Sequence, residues 1–141
     1  MNPVARVLIV DNDFRFLDLA KSIFIEQGVE VICANDPDQV YAYLNQGAMG
    51  FDAVVADLSS PFFGSTQFCQ SLVGRFPLVV VSASDDRAFV ERYSSLCDCL
   101  LLKSRVNENL HRATLKAVER HQLGLQTLIS ACLFFRACVI L

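Results

Sequence analysis

FDAVVADLSSPFFG, residues 51–64, is the most informative stretch of the chain. Ala53 to Ala56 is apolar, rich in Val and too short for a helix. Asp52 precedes it and Ser59-Ser60-Pro61 follows it. That pattern predicts a strand buried on both faces, over 52–56, ending in a turn. Asp57 stands where the strand stops. A carboxylate there is costly unless it faces water, a cation or a reacting group. Taken alone, the same residue reads more readily as a loop Asp bonded to the next backbone amides. The ends of the other strands decide between the two readings.

Working outward, VARVLIV at 4–10 is a β-branched apolar run and the first predicted strand, followed at once by Asp11-Asn12-Asp13. Residues 14–27 carry apolar side chains at helical spacing with charges between them. They predict an amphipathic helix capped by Asp13 and ended by Gly28. VEVICA, 29–34, is the second strand, and Asn35-Asp36-Pro37 starts a helix that runs to about Asn45. After the 52–56 strand come a short helix over 65–75, a fourth strand over 78–81 and a helix over 87–95. A fifth strand over 99–102 ends at Lys103, and a last core helix runs from Val106 to about His121. Strand and helix thus alternate five times. This predicts an α/β, doubly wound, five-stranded parallel sheet of order 2-1-3-4-5 with helices on both faces.

Open sheets of this kind bind ligands at the carboxyl ends of their strands. Strand one ends in Asp11-Asn12-Asp13, strand three in Asp57, strand four in Ser82 and strand five in Lys103. Converging acids repel one another, and a hard divalent cation such as Mg2+ relieves that with oxygen ligands. Lys is a point charge suited to a phosphoryl group. A Ser hydroxyl can donate to a phosphoryl oxygen, and a carboxylate can itself accept the phosphoryl.

This set, in this order, resembles the receiver domain of two-component response regulators, the CheY-like family with its flavodoxin-like fold. The matching stretches are VLIVDND at 7–13, FDAVVADLSSP at 51–61, PLVVVSAS at 77–84 and LLLKS at 100–104. The resemblance spans roughly residues 4–121, so the receiver domain is placed at 1–121. It implies that Asp57 is the phospho-acceptor and that Ser82 is the hydroxyl that moves toward the phosphoryl group. It implies that Lys103 pairs with the phosphorylated Asp. Asp11, Asn12, Asp57 and the backbone carbonyl of Ser59 would then form a Mg2+ site. The implied donor is a sensor histidine kinase or phosphotransfer protein, and the output is protein–protein contact. No enzymatic activity is implied beyond self-phosphorylation and slow loss of the phosphoryl group.

Three residues depart from the family pattern. Asn12 stands where the family has a second acid, Ser104 where it usually has Pro, and Leu100 where it often has an aromatic. A neutral amide can coordinate Mg2+ without contributing charge, so weaker binding is expected. The departures define an alternative, a degenerate receiver acting as a phosphorylation-independent interaction module. A small flavodoxin-like enzyme or cofactor binder would need a phosphate-cradling glycine-rich loop, and the loop after strand one has no glycine.

Composition fits these readings. The chain has 141 residues, 53% hydrophobic and 19% charged, one domain's worth with ample core. A net charge of −3 gives no electrostatic reason to expect nucleic-acid binding. The charge is uneven: residues 1–102 carry six basic and thirteen acidic side chains, and 103–141 carry six basic and two acidic. Six cysteines, mostly in apolar stretches, and no apparent secretory signal predict a reducing cytoplasm. Cys97 and Cys99 form a lone C-x-C, which is no zinc ligand set.

The tail, LGLQTLISACLFFRACVIL at 123–141, is apolar and long enough for a marginal membrane span, but Gln126, Ser130 and Arg136 argue against one. Leu125, Cys132 and Val139 recur at seven residues, with Leu128 and Phe135 between them. That spacing predicts a helical extension over 122–141 that either dimerises or is a truncated linker.

Overall fold

The computed structural model describes residues 4–45, 50–57, 66–72, 74–127 and 138–141. Its centre is β3 (Ala53–Asp57), buried at all five positions, with β1 (Arg6–Val10) on one side and β4 (Leu78–Ser82) on the other. Beyond them lie β2 (Glu30–Ala34), β5 (Cys99–Leu102) and β6 (Cys138–Ile140). All neighbouring pairs are parallel, in the order β2-β1-β3-β4-β5-β6. Central parallel strands have water on neither face, which is why VVA and LVVV are unbroken apolar runs.

The pleat sorts side chains into two layers. Val7, Ile9, Ala53, Val55, Val79, Val81, Cys99 and Leu101 meet α1 (Phe14–Glu26) and α5 (Val106–Thr127). Leu8, Val10, Val54, Ala56, Val80 and Leu100 meet α2 (Pro37–Asn45), α3 (Thr66–Leu72) and α4 (Arg87–Ser94). The sequence alternation of period two is therefore read out as two cores of different partners.

Two aspartates fix the edge of the sheet opposite the site. Asp52, one residue before β3, accepts from the N–H groups of Ala5 (2.7 Å) and Arg6 (3.0 Å) with Oδ2. Asp98, one residue before β5, accepts from Leu78 N–H at 2.8 Å, again with Oδ2. Each carboxylate satisfies backbone donors that the start of a neighbouring strand leaves unpaired. His121 of α5 lies with Nδ1 3.6 Å from the same Asp98 oxygen, which ties the helix to this edge.

Helix boundaries follow local chemistry. Asp13 caps α1 by accepting from Arg15 N–H at 2.9 Å. Gly28, at φ +74°, turns the chain out of the helix, with Gly28 N–H donating to Ile25 O at 3.0 Å. An L side chain there would be forced into the left-handed region. Asp86 caps α4 through Ala88 N–H.

The doubly wound parallel sheet is as the sequence predicts, but the structure corrects the tail. Residues 122–127 continue α5, whereas Cys138–Ile140 form a sixth strand paired with β5 instead of a helix reaching 141. The cause is the open edge of β5, whose unpaired backbone groups accept any short apolar strand that reaches them. Cys138 and Ile140 turn inward and Val139 outward, a period of two rather than seven. The residues between, 128–137, lie outside the described set. No helix among the described residues is long and apolar enough to cross a membrane.

Candidate functional site

Three strand ends meet at the carboxyl edge of the sheet. Asp57 is the last residue of β3 rather than the first of the following loop, and only 1% of it is exposed. The reason is register: Asp57 still pairs with Val81 of β4. Lys103 follows β5 directly and opens a 3-10 turn, Lys103–Arg105. Its Nζ lies 2.6 Å from Asp57 Oδ2 and 5.1 Å from the centre of the Phe16 ring. A salt bridge closes at this length only when both stems are held, and the Phe16 face of α1 holds the lysine from one side. Burial alone would lower the Lys103 pKa, but the carboxylates of Asp57, Asp11 and Asp13 outweigh it and raise it.

Asp11 is the first residue beyond β1. Its backbone N–H still donates to Ala34 O at 3.1 Å, so the chain has not yet left the sheet and the side chain is buried. Oδ1 accepts from Asn12 N–H at 2.7 Å, while Oδ2 is buried without a hydrogen-bond partner. Burial, reinforced by the neighbouring Asp57 charge, lifts the Asp11 carboxyl to about 7. Two carboxylates sharing one buried site cannot both ionise cheaply. Asp11, Asp57 and Lys103 share the pleat parity of the layer that faces α1 and α5, which is why they converge.

Ser82 is treated differently. It ends β4 on the opposite parity, and its hydroxyl donates to Ser84 O (2.9 Å) while accepting from Ser84 N–H (3.0 Å). The hydroxyl is thus engaged with its own loop and not with Asp57. Leu100 packs in the layer with Val80, Tyr93 and Cys97, buried to 1% exposure. Asn12 is exposed at the rim. Asp13, kept below the usual carboxylate range by its bond to Arg15 N–H, is committed to the start of α1. Ser59, expected to offer a carbonyl, lies outside the described residues.

The sequence gives no sign of Phe16, which occupies an ordinary core position on α1 yet carries the lysine. It also lines a groove of about 310 Å3 with Asp13, Arg15, Leu19, Lys103 and Val106, opening beside the site.

The donor set suits a divalent cation. Asp11 Oδ2 is an orphaned acceptor, its ionised form is disfavoured by burial and by the Asp57 charge, and Asp57 lies against it. Two carboxylates with an amide and waters are the kind of set Mg2+ takes. Among the described residues no group of three or more His, Cys, Asp or Glu side chains could hold a metal ion.

No protein-family model matches the chain, and no curated protein matches it in sequence. Solved structures do match. The receiver domain of the Francisella response regulator 1452 superposes with a TM-score of 0.70 at 22% identity, covering 82% of this chain and 98% of that one. A CheY-like response regulator receiver domain from Methanospirillum hungatei gives 0.71 at 19% identity, over 85% and 98%. A chemotaxis response regulator of Vibrio cholerae gives 0.65 at 18% identity, over 84% and 98%. The fold is that of response regulator receiver domains.

Proposed function

We propose that this chain is a phosphoryl-accepting receiver whose acceptor is Asp57. A carboxylate oxygen of Asp57 attacks the phosphorus of a phosphohistidine on a sensor histidine kinase or phosphotransfer protein. The P–O bond forms as the P–N bond breaks; the electron pair stays on the imidazole nitrogen, which takes a proton from water. Asp11, Asp57, Asn12 and the Ser59 carbonyl would hold Mg2+, which supplies charge neutralisation for the phosphoryl oxygens. Lys103, already bonded to Asp57, is placed to follow the negative charge onto the phosphoryl group. Ser82 must exchange its bonds to Ser84 before it can donate there.

The observation that carries this reading is the 2.6 Å Lys103–Asp57 pair beside the unpartnered oxygen of Asp11, at the strand ends where α/β sheets bind ligands. The output is protein–protein contact, without direct nucleic-acid binding. The free thiols at Cys33, Cys69, Cys97, Cys99 and Cys138 suit a cytoplasmic setting. Self-association through α5 and the tail remains part of this reading and is read by sedimentation at micromolar concentration.

The test is intact mass after incubation with Mg2+ and phosphoramidate or acetyl phosphate, with Asp57→Asn as control. One phosphoryl group, gained only with Mg2+ and lost in the variant, is the expected result. No gain by the folded protein over a wide Mg2+ range would favour the second reading, a phosphorylation-independent interaction module. The uncharged Asn12 and the self-bonded Ser82 hydroxyl support that second reading.

A further inference from the structure

Strand β5 has the site at one end and the tail strand along its side. Toward the sheet centre it pairs with β4 as far as Ser82↔Leu102. On its outer side it holds β6 through three pairs, Cys99↔Cys138, Leu100↔Val139 and Leu101↔Ile140. Cys138 N–H donates to Asp98 O at 3.1 Å, just before β5 begins. The last pair, Leu101↔Ile140, is two residues from Lys103.

β6 is the smallest element of the sheet and has one strand neighbour. Val139 is 37% exposed, and Cys138 and Ile140 are only partly buried against the α1 and α5 layer. Short, edge-placed and half-buried elements open locally at low free energy, long before the domain unfolds. Its partner β5, in contrast, is anchored at its site end by the bond from Lys103 across to Asp57. A four-residue strand packed on both faces shifts largely as a body, so a change in that anchor is felt along the edge that β6 occupies.

We propose that docking of β6 on β5 is coupled to the state of Asp57: β6 is held while Lys103 bonds the Asp57 carboxylate, and is released when that bond is lost. Loss comes either from removing the charge or, resting on the function proposed above, from phosphorylation. An acyl phosphate places its oxygens farther out than the carboxylate oxygen does, and the ammonium follows them. Release uncovers the outer edge of β5, and with it Cys99, which is fully buried beside Cys138.

Cys99 is therefore a built-in reporter. Cys69, on α3 in the opposite layer, is equally buried and serves as an internal control for global opening. The experiment is pulsed N-ethylmaleimide labelling of the full chain, with each cysteine read by peptide mass. Ile140→Pro, which removes a backbone donor from β6, sets the rate for an undocked tail. Asp57→Asn should raise the Cys99 rate about fivefold or more toward that value, the lower end of coupling between linked sites, with Cys69 unchanged. Lys103→Gln should give the same result from the other partner.

The proposal is overturned if Cys99 is unchanged in both site variants, if Cys99 and Cys69 rise together, or if Ile140→Pro leaves Cys99 protected. In the wild-type protein treated with phosphoramidate, a phosphoryl gain without faster Cys99 labelling would overturn the coupling and leave the proposed function standing. No phosphoryl gain would count against the proposed function, and the site variants would still decide the coupling.

Discussion

Replacing Asp11 by Asn should stabilise this protein at alkaline pH, although it removes a charged residue from the candidate site. The carboxyl of Asp11 stands at about 7 in the folded protein, because it is buried and faces Asp57. In the unfolded chain it returns to the ordinary range near 4. Between those values the folded state binds more protons than the unfolded state, so stability falls as pH rises through the window from about 4 to about 7. A displacement of about 3 pH units at about 1.4 kcal/mol each sets a ceiling of about 4 kcal/mol. Water at the rim of the site screens part of this, so about 2 kcal/mol is the expected share for Asp11. Asn keeps the acceptor for Asn12 N–H and puts a donor where Oδ2 now lies unpartnered. Urea unfolding in EDTA at pH 5, 6, 7 and 8 reads the effect. The two proteins should be alike near pH 5, with the variant about 2 kcal/mol more stable at pH 8. Millimolar Mg2+ should narrow the gap by stabilising only the wild type. A wild-type stability that rises from pH 5 to 8 in EDTA while the variant stays below it would refute the argument.

Other consequences can be checked with simpler measurements. Asn12→Asp adds a carboxylate at the rim of the proposed Mg2+ site, and calorimetric titration should show Mg2+ binding about tenfold tighter. Asp52→Ala leaves the N–H groups of Ala5 and Arg6 without their carboxylate and should cost about 1–3 kcal/mol in urea unfolding. Gly28→Ala meets no atom within 4 Å of the added Cβ, so its cost isolates the left-handed backbone and should be about 1 kcal/mol, lowering the thermal midpoint without changing the fold.

Sequence and structure agree where chemistry is local. The five core strands are legible because short apolar runs are bounded by Asp, Gly or Pro, and burial in a parallel sheet demands such runs. The convergence of Asp11, Asp57 and Lys103 is legible because the strand ends are fixed once the alternation of strand and helix is known. Ser82 is legible as a residue but not as a contact. Its parity turns it to the opposite layer, where Ser84 offers both a donor and an acceptor two residues away. Phe16 is invisible because a ring that supports an ammonium and a ring that fills a core leave the same mark on an amphipathic helix.

The tail shows that pattern alone does not choose between a helix and a strand. Within 123–141 nearly every spacing finds apolar partners, so a period of seven and a period of two fit equally well. What separates them is an acceptor elsewhere in the fold. The outer edge of β5 would otherwise present unpaired backbone groups, and Cys138–Ile140 supply the pairing. The same argument explains why this element is the one suited to report on the site. It pairs with a single strand, and that strand leads directly into the lysine that holds Asp57.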